Sequence, residues 1–511
     1  MHFDSSRIMF LSTLYMLTLV YSSPDRWADV ASLGLIKTLI CDPGHAGFMI
    51  LGACRGNEVT IDDPLSVMLR HVEDSKASIT EIKITNLSTA TVNKMICEWF
   101  HLPGGGTAEL SKIVVDQTGG NSFFIMQYLQ TLQGHKLLCL DESSGKWIWD
   151  QENTKSAMRR KDIIELVTEK IERLPEGVRN FLKIASCMGA EFDERLLYKV
   201  LNSDVSDYFT VAEANGLLEL ELSNGSCKWT HDKVQEAAYQ QIPEAERAEF
   251  HLELCRKLWR NLSSDDLSIN IFLVVKQLHL GQKYLVDQDE KYRMSALCLQ
   301  AAEKTVKSSA FATASEYLDL GISLLGPRHW RDNYDISLRI FSASCEIEYC
   351  NANFEKMDCL ISNVLENTRN YRDGLRAITT KIHALGAKNR PEHAIETGME
   401  ALNKMGERFP TNARIAYIVR DFIRTKMLLR KYTHDQIMTL PIMKDEDHLA
   451  TSKMLTLLYP YTFISKPEFA PLITFRLIRM TLRYGISPIS GTAFASYGML
   501  LCASFNDVEG G

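Results

Sequence analysis

The chain has 511 residues, 45% of them hydrophobic, which suffices for about three or four domains with sizeable cores. Its 57 Lys and Arg against 64 Asp and Glu leave a net charge of -7 spread along the whole length, so no basic tract tracks a phosphate backbone and nucleic acid is excluded as the default partner. The 12 cysteines are scattered singly, mostly in apolar periodic segments and without a CxxC pair, a pattern that reads as buried reduced thiols of a cytosolic protein.

In chain order, the run Ile8 to Tyr21, "IMFLSTLYMLTLVY", admits two readings. With Arg7 before it and Ser22 and Ser23 after it, the run resembles a secretory signal peptide; alternatively "MLTLVY" is a buried parallel strand. It is shorter than the about 20 apolar residues that cross a bilayer, and no later segment qualifies, so no membrane span is expected. "MLTLVY", "WADVASLGLIKTLIC" and "FMILGACR" together make a βαβ pattern, hence a parallel sheet whose functional edge lies at the carboxyl ends of the strands. Ser23 to Asp25 and Arg55 fall at those ends.

From Pro64 to Phe100 the pattern predicts a helix, a short strand "ITEIKI" and a helix opened by the capping-type "LSTATVNKMICEWF". The Gly-rich "HLPGGGTAE" has no buried strand before it and no phosphate-loop Lys, and reads as a linker rather than a nucleotide cradle. Residues 108 to 133 read as helix, the turn "TGGN" and helix, and "LLCLDESSGKWIWD" as a hairpin. Between 161 and 260, helices with Pro175 at a first-turn position precede "LLELELSNGSCKWTHD", where Asn224-Gly225 signals a two-residue hairpin. Three helices and a hairpin make a winged-helix module. Its third helix, "TVAEANGLLEL", carries no Lys or Arg, which favours packing on protein over DNA.

From about residue 265 the chain is helical. Aligning "SSAFATASEYLDLGISLL", "CNANFEKMDCLISNVLEN" and "KNRPEHAIETGMEALNKMG" places Phe311, Phe354 and Pro391 at equivalent helix starts. That spacing resembles divergent tetratricopeptide-type helix pairs, which stack into a solenoid with a surface for protein partners; the alternative is an irregular helical domain. The final "NDVEGG" reads as a stop within a repeat.

Several of these segments, taken in order, resemble the STAND-type signal-transduction P-loop ATPases, and more narrowly the Orc1-like AAA ATPase module of multidomain sensor kinases and cyclase-type regulators. The matching stretches are "RWADVASLGLI", "LGACRGNEV" with "DDPLSVML", "TGGNSFFIMQYLQTL", "GKWIWD", "IERLPEGVRNFLKIASCMGAEFD" and "WTHDKVQEAAYQQIPEAER". The resemblance implies a mainly α chain made of four parts. These are the C-terminal part of an α/β ATPase core (1–103), a helical lid and hairpin (107–155), a winged-helix-like domain (161–260) and a TPR-like α-solenoid (265–511).

The departures bear on chemistry. No GxxxxGK(S/T) loop occurs in the chain, so the main cradle for ATP or ADP phosphates is missing and the chain reads as a fragment. Anchoring on Trp27-Ala28-Asp29 puts Ser23 and Pro24 where the family's two Walker B acids belong, with Asp25 a displaced carboxylate. Neither Ser nor Pro holds Mg²⁺ through water or orients an attacking water. The resemblance assigns nucleotide contacts to Arg55, a candidate γ-phosphate sensor, to Gly120 and Asn121, and to His231; Arg55 reads equally as a surface ion-pair residue and His231 as a helix cap. No metal site and no other catalytic constellation is expected. The implied function is a regulatory, nucleotide-dependent signalling module, catalytically weak or inactive here, coupled to a protein-interaction solenoid, with self-association in the nucleotide-bound parent. The alternative is a non-enzymatic scaffold with a vestigial ATPase part. The expected location is cytoplasmic, or secreted if residues 8–21 act as a signal peptide.

Overall fold

In the computed structural model, residues 15–21, 30–42, 48–54, 59–75, 77–102, 106–134, 136–141, 146–149, 163–221 and 225–505 are described. They are mainly α-helical, and the chain divides into two compact units, Met1–Lys155 and Ser156–Gly511.

In the first unit, β1 (Tyr15–Tyr21) and β2 (Phe48–Cys54) pair in parallel, Tyr15 opposite Phe48 and Tyr21 opposite Cys54. Parallel strands need a crossover, which α1 (Val30–Cys41) supplies. Leu33 and Ile36, three apart on one helix face, pack with Met68 and Val72 of α2 (Pro64–Asp74). Asp63 starts α2 by accepting the Leu65 amide at 2.9 Å, with Pro64 in the first turn. The run 15–21 is therefore a strand; residues 8–14 of the signal-peptide reading lie outside the described residues.

The strand expected at "ITEIKI" does not form. Its alternation is right, but among the described residues no strand edge pairs with it, and Ile82 and Ile84 stand 78% and 96% exposed. The following α3 (Thr89–Trp99) opens on Ser88, whose Oγ accepts the Thr91 amide at 3.2 Å. Then come α4 (Ala108–Thr118), α5 (Ser122–Gly134) and the antiparallel hairpin β3 (Leu138–Asp141) and β4 (Lys146–Trp149). Phe100, just after α3, stacks on Trp147 of β4 at 4.5 Å.

The second unit begins with α6 (Ile163–Glu172), followed by α7 (Glu176–Met188), β5 (Glu191–Asp193), α8 (Glu194–Leu201), α9 (Ser206–Ala214), β6 (Leu218–Glu221) and β7 (Ser226–Trp229). The strands lie in the order β5-β7-β6, all antiparallel, which together with the helix order is the topology of a winged helix. Buried Phe181 meets Phe209 edge-on at 4.8 Å, and Trp229 donates its indole N–H to the Gly189 carbonyl at 3.1 Å. One detail differs from expectation: Pro175 is the residue before α7 rather than in its first turn. Glu221 pairs with Ser226 at the end of the β6–β7 connection, and Asn224 of the expected turn lies outside the described residues. Gly225, at φ 71°, closes it by donating its N–H to the Glu221 carbonyl at 3.0 Å.

After α10 (Asp232–Gln240), α11 (Arg247–Asn261), α12 (Ser264–Ile269) and α13 (Ile271–Gly281), the chain forms helical hairpins: α14 (Gln288–Val306) with α15 (Phe311–Ser323), α17 (Tyr334–Cys350) with α18 (Phe354–Asn367), and α19 (Leu375–Ala387) with α20 (Pro391–Lys404). The short α16 (His329–Asp332) precedes α17. Helices α15, α18 and α20 begin at Phe311, Phe354 and Pro391, the aligned positions.

The reason lies in the turns. Ser309, Ala352 and Asn389, each two residues before a start, hold φ of 60°, 57° and 55°. The amides of Ala310, Asn353 and Arg390 each reach back five residues, to the carbonyls of Thr305, Glu348 and Leu385. This is a Schellman cap used three times, and it fixes the reversal between the helices of each pair. Each pair packs on its sequence neighbours, as in a helical repeat array. The unit ends with α21 (Ile415–Leu429), α22 (His434–Met438), α23 (Glu446–Ser465), α24 (Ala470–Tyr484) and α25 (Ser490–Phe505).

The cysteines divide more evenly than expected: Cys187, Cys227, Cys255, Cys298 and Cys345 are buried, whereas Cys54, Cys139, Cys350, Cys359 and Cys502 are exposed. Cys350 shows why: it is the last residue of α17, five positions beyond buried Cys345 and so rotated about 140° from it round the helix. Among the described residues no helix is long and apolar enough to cross a membrane.

Candidate functional site

The positions assigned to nucleotide fall in both units. Ser23, Pro24, Asp25 and Arg55 lie outside the described residues, although β1 and β2 end side by side at Tyr21 and Cys54. Gly120 and Asn121 lie in the first unit and His231 in the second.

Gly119, at φ 61°, ends α4, and Gly120 follows at φ 79°. The Gly120 carbonyl accepts the Leu87 amide at 2.8 Å, and its own amide donates to the Thr118 hydroxyl at 3.3 Å. A Cβ on Gly120 would lie 2.3 Å from the Leu87 carbonyl oxygen, so the glycine is required for two backbones to meet. Asn121 caps α5: its Oδ1 accepts the amides of Phe123 and Phe124 at 3.1 and 3.2 Å. The Gly120 backbone and the Asn121 side chain thus make these bonds within the fold. Asn121→Ala is expected to cost about 1 kcal/mol of stability, the worth of a helix cap, measured as a shift of the urea midpoint.

His231 stands before α10 in extended backbone and its Nδ1 accepts the Lys233 amide at 3.1 Å, a cap made by a ring nitrogen. The Asp232 carboxylate lies against the same nitrogen. Among the described residues no cluster of His, Cys, Asp or Glu is placed to hold a metal ion.

Sequence reasoning missed the charged clefts of the helical array. One, of about 460 Å³, lies between α14 and α17 and is lined by Asp289, Tyr292, Arg293, Ala296, Asp335 and Arg339 among others. The second, of about 390 Å³, adjoins it through Arg293 and is lined by Glu253, Arg256, Trp259, Arg260 and Glu290. Arg293 lies over the Trp259 ring at 5.5 Å. Arg256 grips nearly buried Glu290 with two bonds of 2.8 and 2.7 Å, which hold the Glu290 carboxyl below its ordinary range.

Further pairs link the first helices of successive hairpins: Arg339 of α17 to Glu303 of α14 at 3.3 Å, and Arg376 of α19 to Glu346 of α17 at 2.5 and 2.6 Å. The signal was available in the sequence as Arg following Glu by roughly one hairpin length, 36 and 30 residues.

No family model matches the chain. It is 21% identical over 533 aligned positions to Hybrid signal transduction histidine kinase G of Dictyostelium discoideum; the match takes in 89% of this chain, which spans 15% of the length of that protein. Among solved structures it is similar to a Signal Transduction ATPase with Numerous Domains (STAND) protein with a tetratricopeptide repeat sensor from Pyrococcus horikoshii. That match has 10% identity over 99% of this chain and 81% of the other, with a TM-score of 0.32, too low to establish a shared fold.

Proposed function

We propose that the chain is a regulatory module of the STAND type, in which an ATPase-derived part and a winged helix control a helical array that binds protein partners. The observation that carries this reading is the winged helix running directly into stacked helical hairpins within one compact unit. The likeness of 89% of the chain to part of a signal transduction histidine kinase agrees with it. In the parent, ATP or ADP with Mg²⁺ would bias two arrangements of these parts, which requires different affinity for each. This chain binds nucleotide weakly and turns it over negligibly, because it has no GxxxxGK(S/T) sequence and carries Ser23 and Pro24 at the acid positions. It works in the cytoplasm, apart from nucleic acid and membranes.

The second reading, a non-enzymatic scaffold, is favoured by one finding: the side chains of Asn121 and His231 both serve as helix caps. Titration with fluorescent ATP, alongside a turnover assay, separates the two. Weak saturable binding without hydrolysis supports the switch, no binding leaves the scaffold, and Mg²⁺-dependent hydrolysis by this chain overturns the assignment of catalytic weakness.

A further inference from the structure

A surface helix needs one apolar face, and α21 has two. Its inner face, Ile418, Phe422 and Leu429 with Asp421 and Thr425, packs on α24. Its outer face presents Ile415, Val419, Ile423 and Met427, exposed by 78, 43, 51 and 62%. These four recur every fourth residue and so form one ridge, about 18 Å long at 1.5 Å per residue. Among the described residues none of the four belongs to a buried apolar cluster. Cations flank the ridge: Arg420, Arg424 and Lys431 on one side, with Lys426 and Arg430 near its C-terminal end. From Arg414 to Lys431 the segment holds six Lys and Arg and a single carboxylate, Asp421, which is buried against Arg479.

We propose that this face is a docking surface for an amphipathic helix with an acidic rim. A straight ridge of side chains four apart fits the groove of a second helix, and the charges require carboxylates beside the partner's apolar stripe. The same helix of a second copy is excluded as occupant, because it would set cations against cations. The contact stands whether or not nucleotide binds, so its test is separate from that of the switch.

The probe is a fluorescent helical peptide with leucines at every fourth position and glutamates on both flanks, compared with its counterpart carrying lysines, and titrated onto the full chain. The glutamate peptide is expected to bind at least about tenfold tighter, a difference of about 1.4 kcal/mol, and to weaken as salt rises. Val419→Ser with Ile423→Ser removes that binding, as does Arg424→Glu, while the same change at exposed Val286 leaves it intact. These positions are exposed, so helicity by circular dichroism stays unchanged and loss of binding is not loss of fold. Equal affinity for the two peptides overturns the proposal. So does binding to vesicles containing phosphatidylserine without binding to the acidic peptide, which would make the face a membrane contact.

Discussion

Arg479→Met is expected to destabilise the second unit by about 3 kcal/mol, because it leaves a buried carboxylate without its main partner. Arg479 of α24 and Asp421 of α21 are each 5% exposed. They pair at 3.0 Å, and the guanidinium also donates to the Thr425 hydroxyl at 2.9 Å and to the Asp421 carbonyl at 3.3 Å. Arg420 lies 3.5 Å from the other carboxylate oxygen, but its side chain is 66% exposed and its attraction is screened by solvent. Replacing both partners, Arg479→Met with Asp421→Leu, is expected to recover most of the loss, since no charge is then left in the core. Urea unfolding reads both: the midpoint falls in the single variant and returns in the double, with the slope unchanged. A single variant within about 0.5 kcal/mol of the parent would show that the carboxylate reaches water. The pair also decides which face of α21 turns outward, so the docking surface depends on it.

The parts of the fold that were legible in the sequence rest on local signals. Apolar runs on either side of a helical stretch placed the parallel pair β1 and β2, and the residues before Phe311, Phe354 and Pro391 specified three similar turns. Where a local signal needed a remote partner it failed. "ITEIKI" has a strand's composition but, among the described residues, no neighbouring strand. The candidate site divides the same way. The turn at Gly120 and the cap at His231 could be read because their bonds span only two or three residues, apart from the close approach of Leu87. The ion pairs between hairpins join residues 30 to 36 apart, and the buried polar chain through His251 joins residues 12 to 90 apart on separate helices, beyond any periodicity a single helix displays. Gln277, alone among the apolar residues of "FLVVKQLHLG" in being both polar and fully buried, is the kind of residue that signals such a chain.

Gln277→Leu is accordingly expected to cost about 3 kcal/mol, from two buried groups left without partners. His251 is 3% exposed, and its Nδ1–H donates to the Gln277 Oε1 at 2.7 Å. The Gln277 amide donates in turn to the Cys187 carbonyl at 2.8 Å, while the Tyr239 hydroxyl donates to His251 Nε2 at 2.9 Å. One chain of bonds therefore ties α7 of the winged helix to α10, α11 and α13, and Leu at 277 breaks it in two places.

The same chain makes stability depend on pH. Burial holds the His251 imidazole below its ordinary value of 6.5, and Lys276 and Arg247 nearby disfavour its charging further, against the opposing pull of the Gln277 bond. The unfolded chain then takes up a proton at a higher pH than the folded one. The contribution is complete above about pH 6.5 and is lost as pH falls toward the folded value, with a slope of at most about 1.4 kcal/mol per unit. His251→Phe removes this dependence, so the difference in stability between parent and variant, large at pH 7, narrows by pH 5. Curves that stay parallel over that range would mean that His251 charges freely in the folded state.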